Sequence, residues 1–163
     1  MFYSCERYDS TKPTEFFRIK NSTDDRSSYE AFVVYNHPND TSLLLKMAEN
    51  YNLRTVPPSL LKQADYNGYV RVFYKKSKFL TRDFEPGTRD LNPNSPYTYQ
   101  ELNAFTDDKI ITIEYAKRYD GKYQYIYYFK DIEARTSVTL HDLDSFYHAK
   151  WIETADIDTA LVK

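Results

Sequence analysis

The chain has 163 residues, of which 41% are hydrophobic, 17% aromatic and 28% charged, with a formal net charge of −2. So much aromatic area excludes a wholly disordered chain, and three glycines exclude a collagen-like or linker protein. No run approaches the roughly 18 apolar residues of a membrane-spanning helix.

The first 35 residues read as extended segments: Phe2, Tyr3 and Tyr8, then Phe16, Phe17 and Ile19, separated by a turn at residues 10–13. A polar loop over 21–28 leads into Tyr29–Tyr35, whose β-branched and aromatic content predicts a strand. Asp40 or Thr41 opens a helix by accepting bonds from its free backbone N–H groups. Leu43, Leu44, Met47, Ala48 and Tyr51 form its buried stripe. Pro57–Pro58 ends it, and Pro58 starts a short helix through Ala64.

Asn67–Gly68 then turns the chain into a strand, Tyr69–Tyr74, read as a basic strand or a sheet edge. Residues 83–97 are rich in proline and turn formers and make the longest loop. Thr98 and Glu101 have capping-box spacing at the head of a short helix ending near Phe105. Lys109–Arg118 and Lys122–Ile132 flank Asp120–Gly121, which predicts a β-hairpin. A third strand over Ser137–Leu140 continues the meander, and a final helix carries Leu143, Phe146, Tyr147 and Trp151 on one face. The fold class that follows is α+β in a single domain over 1–163: an antiparallel meander with the 109–132 hairpin, covered by the C-terminal helix and two or three short ones.

Alternation places Tyr123, Tyr125, Tyr127 and Phe129 on one face of the hairpin, with Ile111, Ile113, Tyr115, Lys117 and Tyr119 on the same face of its partner strand. Two readings follow. The rings are core under the last helix, or some stand exposed as contacts. Seventeen tyrosine hydroxyls in one small domain argue that several reach the surface.

Charge is uneven: residues 66–82 hold five bases and no acid, while 131–163 hold seven acids against three bases. Either the fold separates them into a dipole or they neutralise each other. Residues 67–76 set aromatics on a basic strand as RNA-recognition and cold-shock modules do. They lack the small residues between the rings, and no family is assigned.

Cys5 is the only cysteine, which excludes an intrachain disulfide and fits a reducing, cytoplasmic compartment; the N-terminal residues carry no secretory pattern. His141 and His148 sit seven residues apart on a helix, about 10 Å along its axis, too far to share an ion. No phosphate loop, dinucleotide fingerprint or nucleophile elbow is present. No cofactor, metal or catalytic residue is therefore expected; Cys5, His37, His141 and His148 are the first to test for an unfamiliar reaction.

The function expected is binding without catalysis. The partner is another protein, contacted through exposed tyrosines of the 109–132 hairpin, with the 83–97 loop as a further contact. Codon-linked composition rich in Tyr, Lys, Asn and Ile suggests an accessory, inhibitor or assembly protein of a phage or mobile element. The alternative is nucleic-acid binding by segments 66–82 and 109–130, with rings stacking bases and lysines on phosphates. Both readings draw on Tyr69, Arg71, Lys75, Lys76, Lys78, Tyr115, Lys117, Tyr119, Lys122, Tyr123, Tyr125 and Tyr127.

Overall fold

The computed structural model describes residues 7–63, 65–77, 80, 97–129, 132–139, 141–157 and 162. Cys5, Lys78 and the 83–97 loop up to residue 96 lie outside them. The described chain builds a six-stranded, mostly antiparallel sheet whose spatial order follows the sequence, with four α-helices. In chain order these are β1 (Glu15–Thr23), β2 (Ser27–Tyr35), α1 (Thr41–Thr55), α2 (Pro58–Leu61), β3 (Gly68–Lys75), α3 (Tyr99–Ala104), β4 (Lys109–Lys117), β5 (Tyr123–Phe129), β6 (Ile132–Val138) and α4 (Leu143–Glu153).

The helix starts follow local chemistry. The Asp40 carboxylate accepts the Leu43 N–H at 2.9 Å and caps α1. At α3 both halves of the capping box form, Glu101 N–H to Thr98 Oγ1 at 3.1 Å and Thr98 N–H to Glu101 Oε2 at 2.9 Å. The β4–β5 turn closes over Gly121, whose φ is +77°.

Two expectations about strands need correction. β3 is not an edge: it lies between β2, to which it runs parallel, and β4. A parallel neighbour needs a crossover, and α1 with α2 supplies it. The third strand of the meander begins at Ile132 rather than Ser137, because pairing extends along the whole of β5 from Phe129↔Ile132 to Tyr123↔Val138.

Both sheet faces are covered over β2 and β3. One carries Phe16, Phe32, Phe73, Ile111, Ile113, Tyr115, Tyr123 and Phe129 against Leu44, Met47 and Ala48 of α1 and Leu143 and Tyr147 of α4. The other gathers Ile19, Ala31, Val33, Val72 and Tyr74 against Leu80, Tyr97 and Leu102. Burial on two sides explains why Ala31–Val34 reads as an unbroken apolar run. Helix α4 buries Leu143 and Tyr147, half-buries Phe146, and leaves Trp151 and Ile152 exposed.

The hairpin's aromatic face is core. Tyr69, Tyr115 and Tyr123 stack as a ladder across β3, β4 and β5, with ring centroids 5.8 and 4.9 Å apart. Tyr125 meets Phe146 of α4 edge-on at 5.2 Å.

Among the described residues, Arg71 pairs with Glu30 and Lys75 with Asp108, while the acidic C-terminal stretch pairs through Asp144 to Lys62 and Asp156 to Lys46.

Glu49 of α1 is buried beside Lys150 of α4, with Oε1 3.5 Å from Nζ. Burial raises its pKa from the ordinary 4.5; Lys150 offsets part of this and the Glu153 charge adds to it. The folded chain therefore holds this proton more tightly than the unfolded one. The contribution of Glu49 to stability is greatest below about pH 4.5 and falls as pH rises through the raised folded value. Glu49→Gln is expected to flatten this part of the pH profile. Its effect on the melting temperature should therefore be more favourable at pH 7 than at pH 4.5. Melting curves from pH 4.5 to 7.5 check it; a parallel offset of the two profiles would show that Glu49 is not the titrating group.

Candidate functional site

One end of the sheet gathers three turns. The Asn67 N–H donates to the Arg26 carbonyl, and the Lys117 N–H donates to the Asn67 carbonyl at 2.8 Å. These bonds tie the β1–β2 turn, the α2–β3 connection and the β4–β5 tip into one hydrogen-bonded rim. Behind the first two, between the strand starts and the α1–α2 corner, lies a cleft of about 750 Å³.

Its floor is a buried ion pair. Glu30 of β2 and Arg71 of β3 are direct register partners in the parallel ladder. Arg71 Nη2 donates to Glu30 Oε2 at 2.6 Å, and Nη1 donates to Asn52 Oδ1 at 3.0 Å and to the Thr55 hydroxyl. The other Glu30 oxygen accepts from Arg18 Nη1 at 2.8 Å. Three rings surround the guanidinium, with Phe32, Tyr51 and Tyr69 centroids at 5.6, 5.9 and 5.8 Å from its central carbon. Arginine fits here because its planar fork spreads donors toward acceptors set apart from one another, whereas an ammonium presents its three from a single point.

Tyr69 extends the network. Its hydroxyl accepts from Asn52 Nδ2 at 2.7 Å. Burial pushes the phenol up to about 12, with the Asn52 bond opposing. Nearer the mouth, the Tyr66 and Ser28 hydroxyls lie 3.2 Å apart.

The mouth is acidic. Asp24, Asp25 and Asp65 line it beside a single base, Arg26, and all four are exposed. Asp24 also holds the turn: its Oδ1 accepts the Arg26 and Ser27 N–H groups, both at 2.7 Å. Those bonds, that of Arg26 first, keep its carboxyl below the usual range. The site thus offers a fixed polar floor, hydroxyl groups on the wall and negative charge at the entrance, an arrangement for holding a polar, cationic group.

The expected contact residues are dispersed. Tyr69, Arg71, Tyr115, Tyr123 and Tyr125 are buried, and Tyr127 is half-buried under Lys150, whose Nζ lies 5.6 Å from its ring centroid. As exposed contact rings these tyrosines must be corrected: they are the sheet's interior. Lys75, in an ion pair 3.6 Å from Asp108, and Lys76, 5.2 Å from the Tyr35 ring centroid, are exposed at the far end of β3. Lys117, Tyr119 and Lys122 are exposed at the hairpin tip, about 25 Å away at the strand rise of 3.3 Å per residue. The two basic groups therefore do not form one surface with the rings between them. Arg71 alone belongs to the cleft, as its floor.

Sequence reasoning missed Glu30, Asn52, Tyr66 and the three mouth aspartates. A signal did exist: Glu30 shares a face with Phe32 and Val34, and Arg71 with Tyr69 and Phe73. Opposite charges interrupting two apolar stripes announce a buried pair.

His141 and His148 are exposed, and His37 Nδ1 contacts the Pro38 carbonyl oxygen at 3.1 Å. Among the described residues no group of His, Cys, Asp and Glu could hold a metal ion, and no helix is long and apolar enough to cross a membrane. No protein-family model, curated protein or solved structure matches this chain.

Proposed function

We propose that this chain is a binding protein whose partner is another protein, and that the partner places a basic side chain in the cleft at the turn end of the sheet. The observation that carries the reading is the pairing of an acidic mouth with a floor already ordered by the Glu30–Arg71 pair. An ordered floor needs no rearrangement on binding, so more of the contact energy is kept. A single cysteine and a composition built on AT-rich codons fit an accessory protein of a phage or mobile element working in a reducing, cytoplasmic compartment.

An amide NMR titration with a short lysine- and arginine-rich peptide tests this. Shifts should concentrate on the amides of Asp25, Arg26, Ser28, Gln63 and Asp65, and an acidic peptide of equal length should leave them in place. Equal response to both peptides, or none, counts against the reading.

A second reading, nucleic-acid binding, rests on one observation: Lys117, Arg118 and Lys122 are exposed on the same turn as Tyr119. It predicts gel shifts of single-stranded oligonucleotides that weaken steeply with salt. An unshifted oligonucleotide at low salt removes it.

A further inference from the structure

The cleft mouth and the hairpin tip carry opposite charge on the same end of one molecule. The mouth presents Asp24, Asp25 and Asp65 against Arg26. The tip presents Lys117, Arg118 and Lys122 against Asp120, with every one of these side chains exposed. Tyr119 stands fully exposed on the same turn. An exposed ring on a turn closed by the Arg118 N–H to Lys122 and Gly121 N–H to Arg118 backbone bonds suits contact through a pocket, since tyrosine adds large area at small entropic cost.

The tip cannot serve its own cleft. β4 is locked beside β3 by the Gly68↔Ala116 register and the Lys117-to-Asn67 bond. The tip is thereby held to one side of the mouth, about 10–15 Å away at the usual spacing of neighbouring strands. Displacing it onto the start of β2 would break that ladder.

We infer that a second copy of this chain supplies the basic group, through a two-fold dimer in which each hairpin tip enters the other copy's cleft. This rests on the cleft being a receptor for basic side chains and names its occupant. A two-fold operation makes the same patch meet itself, so a patch with adjacent acidic hollow and basic projection satisfies both halves at once. Complementary potentials fix the register and make the association sensitive to salt. The volume of about 750 Å³ leaves room for the Tyr119 ring with the stem of a neighbouring basic side chain.

Sedimentation equilibrium on the full chain tests the pairing through charge reversal. Tip variants Arg118→Glu/Lys122→Glu and mouth variants Asp25→Lys/Asp65→Lys should each weaken self-association at least about tenfold, since like charges then face each other. Mixed in equal amounts, the two should associate again, because the acidic tip meets the basic mouth and the basic tip meets the acidic mouth. Circular dichroism establishes that each variant is folded. A wild-type chain that stays monomeric to millimolar concentration, while a basic peptide still shifts the cleft amides, overturns the dimer and leaves the receptor reading standing. Monomer with no peptide response removes both. A dimer that neither reversal weakens, or a mixture that fails to reassociate, overturns the tip-in-cleft contact.

Discussion

Arg71→Met is expected to lower folding stability by about 3–5 kcal/mol, the cost of removing one partner from a buried ion pair. The side chain of Glu30 is only 9% exposed, and after the change its carboxylate would keep only Arg18, which is 53% exposed. Asn52 Oδ1 and the Thr55 hydroxyl lose their guanidinium donor as well, and the three surrounding rings lose their cation. Arg71→Lys should recover little, since one ammonium cannot reach the same acceptors. The double variant Glu30→Gln/Arg71→Met is the informative control. With no buried charge left unpaired, it should regain more than half of the single variant's loss. Urea unfolding reads all three. A cost below about 1 kcal/mol for Arg71→Met, the range of exposed pairs, would mean that the pair is solvated and the cleft has no fixed floor.

That pair also shows where sequence reading reached its limit. Elements governed by neighbours a few residues apart were legible: Asp40 capping α1, Thr98 with Glu101 capping α3, and Asp120–Gly121 closing the hairpin. The alternation of β4 and β5 was legible too, and its face grouping holds in the register Ile113↔Tyr127 and Tyr115↔Tyr125. The parallel β2–β3 neighbour was not, because it depends on a crossover that no local pattern encodes. Glu30 and Arg71 stand 41 residues apart and become partners only through that crossover.

Whether the phenol rings face in or out was a question of magnitude. Counting hydroxyls suggested exposure, yet Tyr115 and Tyr123 are buried and their hydroxyl oxygens have no protein partner. Burying some 150–200 Å² of ring contributes about 4–5 kcal/mol, whereas an unpaired hydroxyl costs about 1–3 kcal/mol. The ring area wins. A tyrosine face opposite a helix is therefore core even when its polar tips are poorly served. Among the described residues, the tyrosine that stands most exposed, Tyr119, sits past the last ladder pair, Lys117↔Tyr123, in the turn itself.

Gly68→Ala is expected to destabilise the chain by more than about 4 kcal/mol, beyond the usual range of single substitutions. Gly68 opens β3 at φ +141°, and a Cβ built there would lie 1.8 Å from the Tyr115 carbonyl oxygen. That oxygen belongs to the backbone of β4, so no rotamer change relieves the clash; the β3–β4 ladder itself must part. Gly121 is the control that separates backbone strain from collision. Its φ is also positive, +77°, but a Cβ there meets nothing within 4 Å. Gly121→Ala should therefore cost only the conformational penalty of about 1–2 kcal/mol. Hydrogen exchange should sharpen the contrast. Gly68→Ala should release the amides of β3 and β4 and detach the Asn67 link between the hairpin tip and the cleft rim, while Gly121→Ala should loosen the turn alone. Equal costs for the two variants would mean that the close approach of β3 to Tyr115 is absent in solution, and with it the hydrogen-bonded rim on which the cleft depends.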